Sequence, residues 1–231
     1  MDASFLTDAL FQLSFMAVPI IVAITFHEAA HGWVALRLGD DTAQRLGRVT
    51  FNPIRHIDPF GTLILPAVMA LSTGFLFGWA KPVPVDFRRL GNPRRDMVWV
   101  ALAGPGINIV LAVASALLYH VTVFLPESVA PWLQANLEVS VWINVILAVF
   151  NMLPLPPLDG GRVAVGVLPG PLARPLARLE RVGILIILLV AFLLPYAAGK
   201  AGVEFDVMGW LVGGPAAYIV DLIMRLTGLS A

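Results

Sequence analysis

The chain has 231 residues, 58% of them hydrophobic and 13% charged, a composition outside that of soluble globular domains and typical of membrane proteins. Fifteen basic residues balance fifteen acidic ones with no dense basic run, which argues against nucleic-acid binding. Cysteine is absent, which excludes a disulfide framework, a thiolate metal site and a cysteine nucleophile; any metal must be held by nitrogen and oxygen, from four histidines and the carboxylates.

The N-terminal stretch lacks the basic start of a secretory signal, and its apolar pattern runs on into the first histidines, so it reads as retained. The first apolar run, from Phe5 to Leu38, is longer than one crossing needs and carries His27, Glu28 and His31 in its second half. A polar segment follows from Gly39 to Asp58, in which GRVTF is strand-like and NPIRHIDP carries turn signals. Gly61 to Trp79 is apolar but interrupted by Pro66, Gly74 and Gly78. Further spans are expected at Met97 to Leu125, at Leu137 to about Leu168 with a proline-rich break from Pro154 to Pro157, at Val182 to Leu194 and at Val207 to Met224. Backbone broken in this way is tolerated in a membrane only where it lines a cavity or is buried in protein, so the break is a candidate site.

Short loops rich in lysine and arginine stay cytoplasmic. Arg37, Arg45, Arg48 and Arg55 precede the 61–79 element, and Lys81, Arg88, Arg89, Arg94 and Arg95 follow it. Both flanks on one side predict a re-entrant hairpin instead of a full crossing. Alternation of the later loops puts the N-terminus outside and the C-terminus inside. LARPLARLER, 172–181, could lie as an amphipathic stretch on the membrane but reads more simply as a basic loop. The expectation is an all-α polytopic membrane protein, one domain over 1–231. It would have five to six transmembrane helices and a short strand-containing or re-entrant segment after the first.

His27-Glu28-Ala29-Ala30-His31 fits H-E-x-x-H, whose spacing on a helix puts both imidazoles on one face, where they can hold one zinc ion. Glu28 beside them can act as a general base toward a water acidified by the metal. Three ionisable groups in five positions of a span cost several kcal/mol unless something compensates; metal binding does so, as would a hydrogen-bonded polar patch between helices. A hydrolytic zinc site takes three protein ligands, and Asp159, directly after the proline break, is the candidate third. The lesser alternative is a turn or cap aspartate in its Asp-Gly-Gly bend.

HEAAHG, LAGPGIN (Leu102 to Asn108) and the Asn151 to Gly160 segment resemble the zinc helix, the glycine-proline-asparagine helix and the N-x-x-P-x-P-x-x-D-G segment of the site-2 protease family of intramembrane metalloproteases. The resemblance implies zinc ligation by His27, His31 and Asp159, catalysis by Glu28, and a substrate or oxyanion contact from Asn151; the bland reading of Asn151 is an amide bonded to helix backbone. NPIRHIDPFGT and GWAKPVPVD resemble a short subgroup without PDZ or regulatory domains. The activity so implied is peptide hydrolysis in membrane-protein substrates with a transmembrane segment. It would take place at a cell-membrane site facing the cytoplasm, with substrate received by strand addition near Val49 and Phe51. A transporter with an intramembrane ion site, or a non-proteolytic metal-binding relative, are the alternatives. The ligand pattern fits other divalent metals as well as zinc.

His56 is expected either to supplement the site or to be a polar loop residue bonded to Asp58. His120 is expected at the far interface. Asn108, Gly104 and Gly106 read as helix-packing residues.

Overall fold

The computed structural model of the chain describes residues 3–64, 78, 80–203 and 205–229. Four helices in it are long and apolar enough to cross a membrane: Ser14–Arg37, Pro93–Phe124, Ala130–Asn151 and Gly183–Lys200. The first lies within α1 (Ala3–Arg37), and α2 (Pro93–Tyr119) continues into the second through a 3-10 turn. The third is α3 (Ala130–Asn151). Two short helices follow, α4 (Asp159–Val167) and α5 (Gly170–Arg178), then α6 (Gly183–Lys200), and finally α7 (Gly214–Leu226), preceded by a π turn.

Helices α1, α2 and α3 pack on one another, and α4 packs on α2. Their buried seams are small: Ala23, Ala35, Ala101, Ala112 and Ala116 are almost wholly covered, while large apolar side chains such as Trp99, Val110, Leu117 and Leu118 point outward. This arrangement is expected where lipid, not water, surrounds the bundle, because small residues bring helix backbones close and bulky ones face hydrocarbon. A second seam joins Ala112 and Ala116 of α2, Val141 and Val145 of α3, and Ala216, Val220 and Ile223 of α7.

Local sequence sets the helix ends. Pro93 occupies the first turn of α2, where its missing N–H is no loss, and Asp96 reaches back to accept from the Asn92 N–H at 2.7 Å. Helix α3 stops at Asn151 because Pro154, Pro156 and Pro157 cannot donate to a continued ladder.

Three expectations are corrected or fall out of view. The strand-like GRVTF contains no strand, and none occurs among the described residues: Gly47 takes a left-handed φ of 63°, and Asn52 caps a 3-10 turn at Pro53–His56. Phe51 instead stacks on Phe26 of α1, centroids 4.4 Å apart. The C-terminal helix does not end on the same side as the start of α2. His120, at the far end of α2, bonds the Thr227 carbonyl just past α7 at 2.7 Å, so α7 runs parallel to α2 and the alternating count fails at the last helices. Most of the 61–79 element lies outside the described residues; its start, Pro59–Ile64, is a π-helical turn.

Candidate metal centre

Helix α1 carries His27 and His31 one turn apart on the face that meets α2, and both are buried. Asp159, at the first position of α4, is buried against them. Its approach depends on the glycines after it. A Cβ on Gly160 would run into the Met152 carbonyl, and one on Gly161 into the backbone of Leu155 and Pro156. The Asp-Gly-Gly sequence is what lets α4 begin directly beneath the proline loop.

The three ligand-bearing atoms converge. Asp159 Oδ2 lies 3.2 Å from His27 Nε2 and 3.4 Å from His31 Nε2, and the two Nε2 atoms are 3.1 Å apart. Four tetrahedral ligands at about 2.0–2.1 Å from zinc are about 3.3–3.4 Å from each other, so the triangle is of the right size for three of them. These three residues form a group able to hold a metal ion.

Hydrogen positions strengthen the assignment. His31 Nδ1 faces the Val100 carbonyl at 2.7 Å, an atom that can only accept, so Nδ1 bears the proton and Nε2 presents its lone pair. His27 Nδ1 faces Asn108 Oδ1 at 2.6 Å, with the same result for its Nε2. Asp159 Oδ2 is buried and has no hydrogen-bond partner. Three acceptors thus point at one another in a low-dielectric place. A proton can bridge only one pair of them; a divalent ion satisfies all three.

Gly104 of α2 sits at this level. A Cβ there would lie 2.6 Å from His27 Nε2 and closer still to His31 Nε2, so glycine is required by the site itself, whereas Gly106 has nothing within 4 Å. Gly104 is eleven residues in from Pro93, which places the centre about 16 Å along α2 from that end, below the helix terminus and inside the bundle.

Glu28 is half-buried, and its Oε2 accepts from the Val83 N–H at 2.6 Å. Val83 belongs to the segment 80–86, which has no regular secondary structure and in which Pro82 and Pro84 have no N–H to offer. That segment is clamped from below: the buried Arg48 guanidinium donates to the Lys81 carbonyl at 2.6 Å and to the Pro82 carbonyl at 3.3 Å, and the Lys81 N–H donates to the His56 carbonyl. Asp40, fully buried, accepts from the Asp86 N–H. A backbone N–H leaves no residue signature, so this clamp on Glu28 is invisible in the sequence.

His56 stands apart from the three-residue group. It is buried, with Nε2 on the Thr50 carbonyl at 2.9 Å rather than on Asp58, whose Oδ1 accepts from Gly61. Asn151 donates to the Leu147 carbonyl one turn back at 3.0 Å. An apolar groove lined by Met16, Ile20, Tyr119, Glu138, Val220 and Met224 includes none of the candidate site residues.

The model of the family described as "Peptidase family M50" matches residues 15–131 and 120–194. The chain is 40% identical over 196 residues, 83% of its length and 85% of the other's, to the Bacillus subtilis (strain 168) protein named "Putative zinc metalloprotease YwhC". It is 32% identical over 192 residues to "Putative zinc metalloprotease Rip2" of Mycobacterium tuberculosis (strain ATCC 25618 / H37Rv), covering 83% of this chain and 70% of that one. The Rip2 of Mycolicibacterium smegmatis (strain ATCC 700084 / mc(2)155) is 28% identical over 228 residues, 95% of this chain and 84% of its own. No solved structure matches.

Proposed function

The chain belongs to peptidase family M50, the site-2 protease family of membrane zinc metalloproteases, and from that premise we propose that it hydrolyses peptide bonds of membrane-protein substrates within or near the bilayer. The observation that carries the proposal is the convergence of two imidazole lone pairs and an unpartnered carboxylate oxygen about 16 Å along a membrane helix. In this reading His27, His31 and Asp159 hold one zinc ion. Zinc, when bound, supplies a Lewis acid that acidifies water and polarises a carbonyl.

The rest is done by the chain. Glu28 takes the proton from the attacking water as its oxygen bonds the scissile carbon, and returns it to the amine nitrogen as the C–N bond breaks. The Val83 N–H fixes one carboxylate oxygen and leaves the other to face the reacting atoms. Asn151 is proposed to meet the substrate or its oxyanion, which requires it to release the Leu147 carbonyl. Arg88, Arg89, Arg94 and Arg95, around the end of α2 nearer the centre, support a cytoplasmic orientation for the site, in the cell membrane.

Purified protein in detergent, offered a panel of single-span membrane proteins, tests the activity. Wild type is expected to release fragments. Glu28→Gln and chelator-treated protein are expected not to, with Glu28→Gln retaining zinc. Cleavage by Glu28→Gln at the wild-type rate would remove Glu28 from the mechanism, and zinc binding without cleavage of any substrate would remove the proteolytic reading.

A further inference from the structure

Behind His27 a chain of buried amides runs through the bundle, from α2 into α3. Asn108 and Asn144 are each wholly excluded from the surface. Asn108 Nδ2 donates to Asn144 Oδ1 at 2.7 Å and to the Ala23 carbonyl of α1 at 3.2 Å; Asn144 Nδ2 donates to the Ser140 carbonyl at 2.9 Å and also approaches Ser140 Oγ, which pairs with Ser115. Each amide could in principle be turned end for end, but two backbone carbonyls forbid it. The Ser140 carbonyl only accepts, so the NH₂ of Asn144 must face it and its oxygen must face Asn108. The Ala23 carbonyl likewise fixes the NH₂ of Asn108, so the Asn108 oxygen must face His27. His27 Nδ1 can then only donate, and Nε2 is left bare toward His31 and Asp159.

We propose that Asn108 is the positioning residue that holds His27 as a metal ligand, with Asn144 locking Asn108 in the orientation that makes it an acceptor. The inference rests on the reading of His27 as a ligand. Its consequence is that zinc affinity depends on a side chain of α3 that touches neither the metal site nor substrate. An apolar environment sharpens the effect, because no water competes for these amides and a wrongly turned one would set two donors or two acceptors face to face.

The probe is zinc itself, bound to purified full-length protein in detergent and withdrawn by a chelator of known affinity. Asn108→Leu is expected to weaken zinc about 10- to 100-fold, the usual cost of removing the partner of a ligating histidine. Asn108→Asp, whose wholly buried carboxyl is held in its neutral form, keeps an acceptor for His27 Nδ1 while its O–H faces Asn144 Oδ1, and is expected to recover most of that loss. Asn144→Leu is expected to weaken zinc by several-fold, since the Ala23 carbonyl still orients Asn108. Cobalt substituted for zinc gives a second readout: its visible spectrum is expected to shift in Asn108→Leu and to resemble wild type in Asn108→Asp. Melting of each variant without metal reports folding separately. If Asn108→Leu binds zinc within twofold of wild type and only its melting temperature falls, the amides are a helix clasp and the inference fails. His27→Ala distinguishes the amide relay from the ligation beneath it. Loss of zinc there with unchanged affinity in Asn108→Leu overturns the relay alone, whereas zinc retained in His27→Ala overturns the ligand assignment beneath it.

Discussion

Replacing Gly104 by alanine places a methyl group where the ligand atoms meet. The added carbon would stand 2.6 Å from both His27 Nε2 and Cε1, and nearer to His31 Nε2, against an ordinary non-bonded separation of about 3.5 Å. Something must yield by about 1 Å. Metal–ligand distances tolerate about 0.2 Å, so a shift of that size taken by the imidazoles moves at least one of them out of the coordination sphere, and one taken by α2 draws the Val100 carbonyl and Asn108 away from the histidines they orient. Zinc affinity is expected to fall by more than about 100-fold, beyond the loss caused by changes in the groups that only support ligands. The metal-free fold loses only the overpacking cost, about 1–3 kcal/mol. Gly106→Ala is the matched control on the same helix: nothing lies within 4 Å of its Cβ, and alanine in a helix interior is favoured over glycine by about 0.5–1 kcal/mol, so zinc binding should be unchanged and melting equal or higher. Both are read by chelator competition and by thermal melting with and without zinc. Wild-type zinc affinity in Gly104→Ala would mean that the metal is not held where α2 meets His27 and His31.

Other expectations concern the segment that meets Glu28. Val83→Pro removes the N–H on the carboxylate; turnover in the cleavage assay should drop about tenfold or more with zinc content unchanged, while Val83→Ala keeps the wild-type rate. Arg48→Met leaves the Lys81 and Pro82 carbonyls without their donor, which should cost about 2 kcal/mol in denaturant unfolding and hasten limited proteolysis between Lys81 and Val85. A variant as stable and as resistant as wild type would show that the guanidinium does not hold the segment.

The centre was largely legible in the residues because its members are expensive. A histidine, a glutamate and another histidine inside an apolar run demand a reason, and the spacing supplied one. Asp159 followed from its place after a proline break. The same reasoning about cost applies to Asn108 and Asn144, each an amide in the middle of an apolar helix, yet Asn108 sits beside Gly-Pro-Gly and reads as packing; only the structure joins it to His27. Gly104 and Gly106 read as helix-packing residues, but a Cβ at Gly104 would meet the imidazoles of His27 and His31, and one at Gly106 would meet nothing within 4 Å. The GRVTF segment misled because a short β-branched and aromatic run carries strand propensity without a partner strand, and here a left-handed Gly47 and the Asn52 cap bend it into turns. The C-terminal side was misjudged because loop charges carry no information on how an apolar helix packs, whereas the seam of Ala216, Val220 and Ile223 against α2 and α3 decides how α7 lies.

The bonds joining α1 to α2 constrain how the molecule can move. His31 reaches the Val100 carbonyl and Asn108 reaches the Ala23 carbonyl, so each helix offers a main-chain acceptor to the other, eight residues apart along both. The pairs run antiparallel in one register. A slide of a single residue, about 1.5 Å, would break both bonds together and part His27 from Asn108 as well. The two helices therefore travel as one stiff plank, a fixed wall to the candidate metal centre.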